Sequence, residues 1–142
     1  MEQPQQQQQQ QPKEVVIMVG YPGSGKSTWA TAEEKNGYIR IDGDNLNTPN
    51  KMVKEAQKHI RTCKQGIIFD STGGTKKRRE TFIAFAKIHG LPVRVIWFQT
   101  SIEESMRRNA LRLKPVPKIA YWSYRKHFQI PEEDEGCQIL KN

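Results

Sequence analysis

Gly20-Tyr21-Pro22-Gly23-Ser24-Gly25-Lys26-Ser27 satisfies the pattern G-x-x-x-x-G-K-[ST] without a mismatch. The flanks supply the context that gives the pattern structural meaning. Val15-Val16-Ile17-Met18-Val19 is a β-branched apolar run that reads as a buried parallel strand. Ser27-Thr28-Trp29-Ala30-Thr31-Ala32 can open a helix. In a strand–loop–helix unit the glycines let the backbone turn tightly and aim several N–H groups at one anion. The positive end of the helix dipole falls at the same point. Gly20, Pro22, Gly23, Ser24, Gly25, Lys26, Ser27 and Thr28 are therefore the expected nucleotide-phosphate site. Lys26 reaches the β- and γ-phosphates there, and the Ser27 hydroxyl is a Mg²⁺ ligand. A nucleoside triphosphate, ATP with Mg²⁺, is the expected cofactor.

Three further apolar runs read as strands: Tyr38–Ile41, Gly66–Asp70 and Val93–Phe98. Helical patterns separate them over Lys26–Lys35, Lys51–Cys63 and Thr75–His89, with two more at about 102–113 and 118–128. Thr100 and Ser101 can cap the fourth of these, with Glu103 and Glu104 set against its dipole. Alternating strands and helices imply right-handed crossovers: an α/β fold with a parallel sheet of about four strands, helices on both faces and an arginine-bearing lid.

Residues 1–13 read as a separate, disordered tail. Met1 to Pro12 is almost all Gln and Pro, with Gln5–Gln11 unbroken, and residues 14–142 are expected to form one domain. The tail lacks the basic start and apolar stretch of a signal peptide, and no run is long enough to span a bilayer. A soluble, intracellular protein with no membrane partner is expected. Cys63 and Cys137 lack metal-ligand spacing and are expected as free thiols. The composition leaves the oligomeric state open.

The net charge is +8, and its distribution suggests a polyanionic partner. Lys76-Lys77-Arg78-Arg79 forms one basic cluster. Arg107 to Lys126 holds seven Lys or Arg and no acid, whereas Glu132-Glu133-Asp134-Glu135 concentrates negative charge. Arg108 and Arg112, spaced by four, would share a helix face and could close over phosphates as a lid, with Pro115 and Pro117 breaking the chain beyond it. The alternative is a solvated basic face. Tyr121, Trp122 and Tyr124 interleave with Arg125 and Lys126; packing on the core is the favoured role for most of them, with stacking on a nucleic-acid strand the other.

In a parallel sheet the ligand lies beyond the carboxyl ends of the strands. Asp42-Gly43-Asp44 follows the second strand, and Asp70-Ser71-Thr72 ends the third. Acids there can hold Mg²⁺ or its waters, or orient an attacking hydroxyl and take its proton. Asp44, further from its strand, is the expected base; Asp42 and Asp70 suit metal or loop support. Turn-capping aspartates are the alternative reading.

With these residues in place the chain resembles the kinase domain of the polynucleotide kinases, which phosphorylate 5′-hydroxyl ends. The resemblance rests on Val15–Gly20 running into Tyr-Pro-Gly-Ser-Gly-Lys-Ser-Thr, on Tyr38-Ile39-Arg40-Ile41-Asp42-Gly43-Asp44 and on Asp70-Ser71-Thr72. Arg107-Arg108-Asn109 through Arg112, and Pro115-Val116-Pro117 through Tyr124-Arg125-Lys126-His127-Phe128, extend it. It implies Asp44 as general base, Lys26 and Ser27 on phosphate and metal, and Arg108 and Arg112 on the lid; from its place at the strand end, Asp42 is expected beside Ser27 on the metal side. Asp44, Asp70, Thr72 and Arg125 would face a nucleic acid with a 5′-hydroxyl end.

The family usually has Asn-Arg-Asp where this chain has Asp42-Gly43-Asp44, and often an Asp-Asn-Thr-Asn-like turn where it has Asp70-Ser71-Thr72-Gly73. Asp42-Gly43-Asp44-Asn45 lacks the Thr or Val of the two-aspartate phosphatase motif, so no 3′-phosphatase activity is expected from this chain. The same segment is similar to one in adenylylsulfate kinases, which leaves a small-molecule kinase as one alternative. A nucleotide-dependent end-binding module without transfer is another.

Overall fold

A computed structural model describes residues 13–142, so the Gln/Pro stretch of the expected tail lies outside the described residues. Lys13, assigned to that tail, is docked: its ammonium donates to the carbonyls of Ile60 (3.2 Å) and Arg61 (3.3 Å).

Five strands form one parallel sheet: β1 (Glu14–Val19), β2 (Tyr38–Asp42), β3 (Gly66–Asp70), β4 (Val93–Trp97) and β5 (Gln138–Lys141), in the order β2-β3-β1-β4-β5. β1 is central, with Val15 opposite Ile67 on one side and Val93 on the other. Its apolar run is buried because both neighbours and both helical layers cover it. The expected four strands become five. Short and mostly exposed on the edge beside β4, β5 needs no continuous apolar run and carries none.

Six helices follow the strands: α1 (Lys26–Glu34), α2 (Gly43–Leu46), α3 (Pro49–Gln57), α4 (Lys76–Ile88), α5 (Ile102–Asn109) and α6 (Lys118–His127). α3 and α4 cover one face, where Met52, Ala56, Phe82 and Phe85 pack on Val15, Ile17, Ile67 and Phe69. α1 covers the other, with Ala30 and Trp29 against Val16, Met18 and Ile68. The helical pattern at 51–63 is shifted. α3 starts at Pro49 behind the Thr48 cap and ends at Gln57, and the chain to Cys63 continues as a turn.

The pattern at 102–113 is shortened. α5 begins where expected, with the Ser101 hydroxyl accepting from Glu104 N–H (3.1 Å), but it stops at Asn109. The Asn109 amide donates to Val116 O (2.9 Å) and accepts from Val116 N–H (3.0 Å). These bonds fold 110–116 back as a loop where a continued helix would carry it away.

The basic cluster at 76–79 and the acidic run at 132–135 meet. Lys76 pairs with Glu132 (3.0 Å), and Arg79, fully buried, pairs with Glu135 (2.9 Å). Both cysteines are free, as expected. No helix among the described residues is long and apolar enough to cross a membrane.

Candidate active site

The carboxyl ends of β1, β2 and β3 open into a cleft lined by Pro22, Gly23, Gly25, Lys26, Ser27 and Thr28 on one side. Asp42, Asp44, Asp70, Ser71 and Thr72 line the other, and Arg108, Arg112 and Val116 lie over it. Gly20 and Ser24 complete the loop behind this wall. Gly20 N–H donates to Thr72 O (3.0 Å), and Thr100 Oγ1 donates to Ser24 O (2.8 Å), tying the loop to the segments after β3 and β4.

The loop's glycines are required by geometry at two points. Gly23 (φ +78°) and Gly25 (φ +108°) adopt left-handed backbone, and a Cβ on Gly23 would come within 2.5 Å of Ser105 O. Tyr121, read from the sequence as a packing residue, is fully buried and also donates from its hydroxyl to Pro22 O (2.6 Å). α6 is thereby bonded to the loop.

Lys26 is buried, and its ammonium turns back onto the loop carbonyls of Gly20 (2.9 Å) and Tyr21 (2.5 Å). Burial lowers its pKa to about 8, against the opposing pull of Asp70 and Asp44. Between about 8 and the ordinary 10.5 the unfolded chain holds a proton that the folded chain has lost. The penalty for burying the ammonium, of order 3 kcal/mol, is therefore full below pH 8 and disappears as pH rises toward 10.5. An anion in the loop stabilises the charged form, so nucleotide binding is expected to take up a proton above pH 8. Affinity should fall there by at most about tenfold per pH unit. Calorimetry at pH 9 in two buffers of different ionisation enthalpy measures this; equal heats in both would exclude it.

Ser27 Oγ donates to Asp70 Oδ2 (3.0 Å), and Asp70 is buried at the end of β3. A hydroxyl and a carboxylate side by side are hard oxygen donors of the kind Mg²⁺ takes when the remaining positions belong to phosphates and water. Among the described residues no group of three or more His, Cys, Asp or Glu could hold a metal ion by itself. The carboxylate on Ser27 is Asp70. Asp42, named for the metal side from the sequence, lines the cleft but accepts from Asp44 N–H (2.9 Å) and Asn45 Nδ2 (3.0 Å) as the cap of α2.

Asp44 stands exposed at the cleft mouth, and Arg112 donates to its Oδ2 (3.3 Å) from the facing lid segment. Arg108 lies on α5 with its Nε on Glu104 (3.0 Å). Both arginines line the cleft, but they do not share a helix face: Arg112 comes from the loop beyond α5. Glu104 accepts from Arg107 and Arg108, which hold its carboxyl down to about 2.

Arg125 lies elsewhere. It lines a groove with Tyr21, Trp97, Tyr124 and Phe128, beside the loop and outside the cleft. Sequence reading missed Arg40, whose Nε donates to Asp70 Oδ2 (2.7 Å). An arginine inside a strand carries no motif, and only the pairing of β2 with β3 brings it to Asp70.

A family model described as an AAA domain matches residues 15–62 and 46–131. A bifunctional polynucleotide phosphatase/kinase of Schizosaccharomyces pombe is 35% identical over 130 residues, covering 87% of this chain and 32% of that protein. The chain thus spans about a third of the length of that protein. The fold is shared with Kti12 of Chaetomium thermophilum, solved with ADP-AlF3 (TM-score 0.67, 16% identity, 90% of this chain and 88% of that one). It is also shared with the APS kinase CysC of Mycobacterium tuberculosis, solved with AMPPNP and APS (TM-score 0.62, 16% identity, 92% and 88%). The chain belongs to the P-loop family whose model is described as an AAA domain, within the kin of the polynucleotide phosphatase/kinases.

Proposed function

We propose that this domain, residues 14–142, transfers the γ-phosphate of ATP to the 5′-hydroxyl end of a nucleic acid. The observation that carries the reading is the placement of Asp44, an exposed carboxylate across one cleft from Lys26 and Ser27 and contacted by a lid arginine. The likeness to a protein named polynucleotide phosphatase/kinase supports the acceptor class, as does the basic segment from Arg107 to Lys126.

In this reading the terminal 5′ oxygen attacks the γ-phosphorus and Asp44 takes its proton. The β–γ bridging oxygen leaves with ADP. Lys26 turns from the carbonyls of Gly20 and Tyr21 onto the β- and γ-phosphates. Arg108 and Arg112 exchange Glu104 and Asp44 for the phosphoryl oxygens, so opening Asp44 to the acceptor and neutralising the transferring group are one event. Ser27 and Asp70 would hold Mg²⁺ or its waters, and the ion would supply neutralisation of the phosphate charge. Asp42 fixes the turn that carries Asp44. Thr72 and Asp70 form the acceptor-side wall, and Arg125 contacts the strand further from its end.

Labelled ATP offered with 5′-hydroxyl DNA, 5′-hydroxyl RNA, the same oligonucleotides ending in 5′-phosphate, nucleosides and adenylylsulfate tests the assignment. Label is expected on the 5′-hydroxyl oligonucleotides. Label confined to adenylylsulfate would instead favour the small-molecule kinase that Asp42-Gly43-Asp44-Asn45 resembles. Tight end binding with neither transfer nor hydrolysis would favour the non-catalytic module.

A further inference from the structure

Arg40 has no task in the proposed transfer, yet it contacts three residues that line the cleft, Ser27, Asp42 and Asp70. Its Nε donates to Asp70 Oδ2 (2.7 Å), its terminal Nη2 donates to Ser27 Oγ (3.3 Å), and the same nitrogen lies 3.7 Å from Asp42 Oδ1. Ser27 closes the ring by donating to Asp70 Oδ2 (3.0 Å). The guanidinium is thus surrounded by one hydroxyl and two carboxylates, the oxygen set a divalent cation would take, and Asp70's side chain is only 3% exposed beneath it.

We propose that Arg40 is a positioning residue that serves as the resident cation of this oxygen set while no nucleotide is bound. It cedes Ser27 only when a divalent cation arrives with a triphosphate. Arg40 donates to the Ser27 oxygen and so occupies one of its two lone pairs, and its guanidinium competes with a metal for the same hydroxyl. The positive charge beside Asp70 also opposes a free dication at this spot. A triphosphate brings enough negative charge to shift the balance. The Nε contact to Asp70 can survive the exchange, because a carboxylate has a second oxygen to offer. Arg40 would then keep Asp70 aimed into the cleft while its Nη2 end moves. Metal binding is thereby made conditional on nucleotide binding. This role rests on Ser27 and Asp70 forming the metal side of a phosphoryl-transfer site and is indifferent to the acceptor.

The test is titration of the full chain with Mn²⁺, the free ion followed by electron paramagnetic resonance, with and without ADP. Wild type is expected to bind Mn²⁺ weakly alone and tightly with ADP. Arg40→Met should bind Mn²⁺ alone about tenfold or more tighter than wild type, and the advantage conferred by ADP should shrink by the same factor. Arg40→Lys keeps the charge without the planar fork and should stay close to wild type.

Wild type that binds Mn²⁺ equally with and without ADP would overturn the proposal, as would an unchanged ADP dependence in Arg40→Met. If Arg40→Met does not fold, wild type and Arg40→Lys decide: tight nucleotide-independent Mn²⁺ binding by Arg40→Lys would refute a role carried by charge. The kinase reading fails separately. Intact Mn²⁺–ADP coupling without transfer to any 5′-hydroxyl end rejects the acceptor, and transfer with uncoupled metal binding rejects only the role of Arg40.

Discussion

Asp44→Asn is expected to cut transfer to a 5′-hydroxyl end by about 10²–10⁴-fold at saturating ATP, with ATP affinity changed by no more than about threefold. The substitution is nearly isosteric and removes only the charge and the basic oxygen. Structure should survive it. The Asp44 side chain is 67% exposed and its one ion pair, to Arg112, is solvent-screened. The backbone N–H of residue 44 still donates to the Asp42 cap. In the proposed reading nucleotide binding depends on the opposite wall, where Lys26, Ser27 and the loop N–H groups sit, and Arg112 released from Asp44 would be free to meet phosphate. A rapid-mixing measurement of a single turnover separates the two effects. Wild-type transfer by the variant would exclude Asp44 as the base. Loss of ATP binding together with transfer would instead give Asp44 an electrostatic role in seating the nucleotide.

The two halves of this site differ in how far the sequence discloses them. The phosphate loop is local: its eight residues are consecutive, six in the turn and two opening α1, and the central apolar strand before it announces its own burial. Asp44 is nearly as legible, because a carboxylate just past a strand end can be placed by topology alone. Arg40 is not legible, since its partner Asp70 lies 30 residues away on a neighbouring strand. The lid shows a subtler failure. Spacing of four between Arg108 and Arg112 matches a helix, but the Asn109–Val116 bonds end the helix between them. A side-chain amide bonded seven residues on competes with helix propagation, and no periodicity records that competition. β5 escaped for a third reason: an exposed edge strand leaves little hydrophobic signature.

Arg79→Met is expected to destabilise the domain by about 3–5 kcal/mol, a fall in Tm of roughly 10–15 °C, well beyond what loss of a solvent-exposed charge costs. In sequence Arg79 is one of four consecutive bases and looks like part of a solvated patch. In the fold it is fully buried and its whole fork is engaged. Nε and Nη2 reach the two oxygens of Glu135 (2.9 and 3.3 Å), Nη1 reaches Gly73 O (2.7 Å), and Nη2 also reaches Gln129 O (2.9 Å). One guanidinium thus joins the loop after β3, helix α4 and the segment leading into β5. Removing it leaves Glu135 with the Glu132 N–H (2.7 Å) as its remaining partner and the buried Gly73 carbonyl with none, and the cost is mainly that of an anion without its counter-charge. Arg79→Met combined with Glu135→Leu should therefore recover much of the loss, because an apolar pair leaves no buried charge uncompensated. Thermal unfolding of the two single variants and the double variant measures the coupling directly. Strictly additive losses would show that the bonds to Gly73 and Gln129, and not the ion pair, hold these segments together. Recovery in the double variant with slowed transfer would show the same contact also sets the position of Thr72, whose carbonyl receives Gly20 N–H at the base of the phosphate loop.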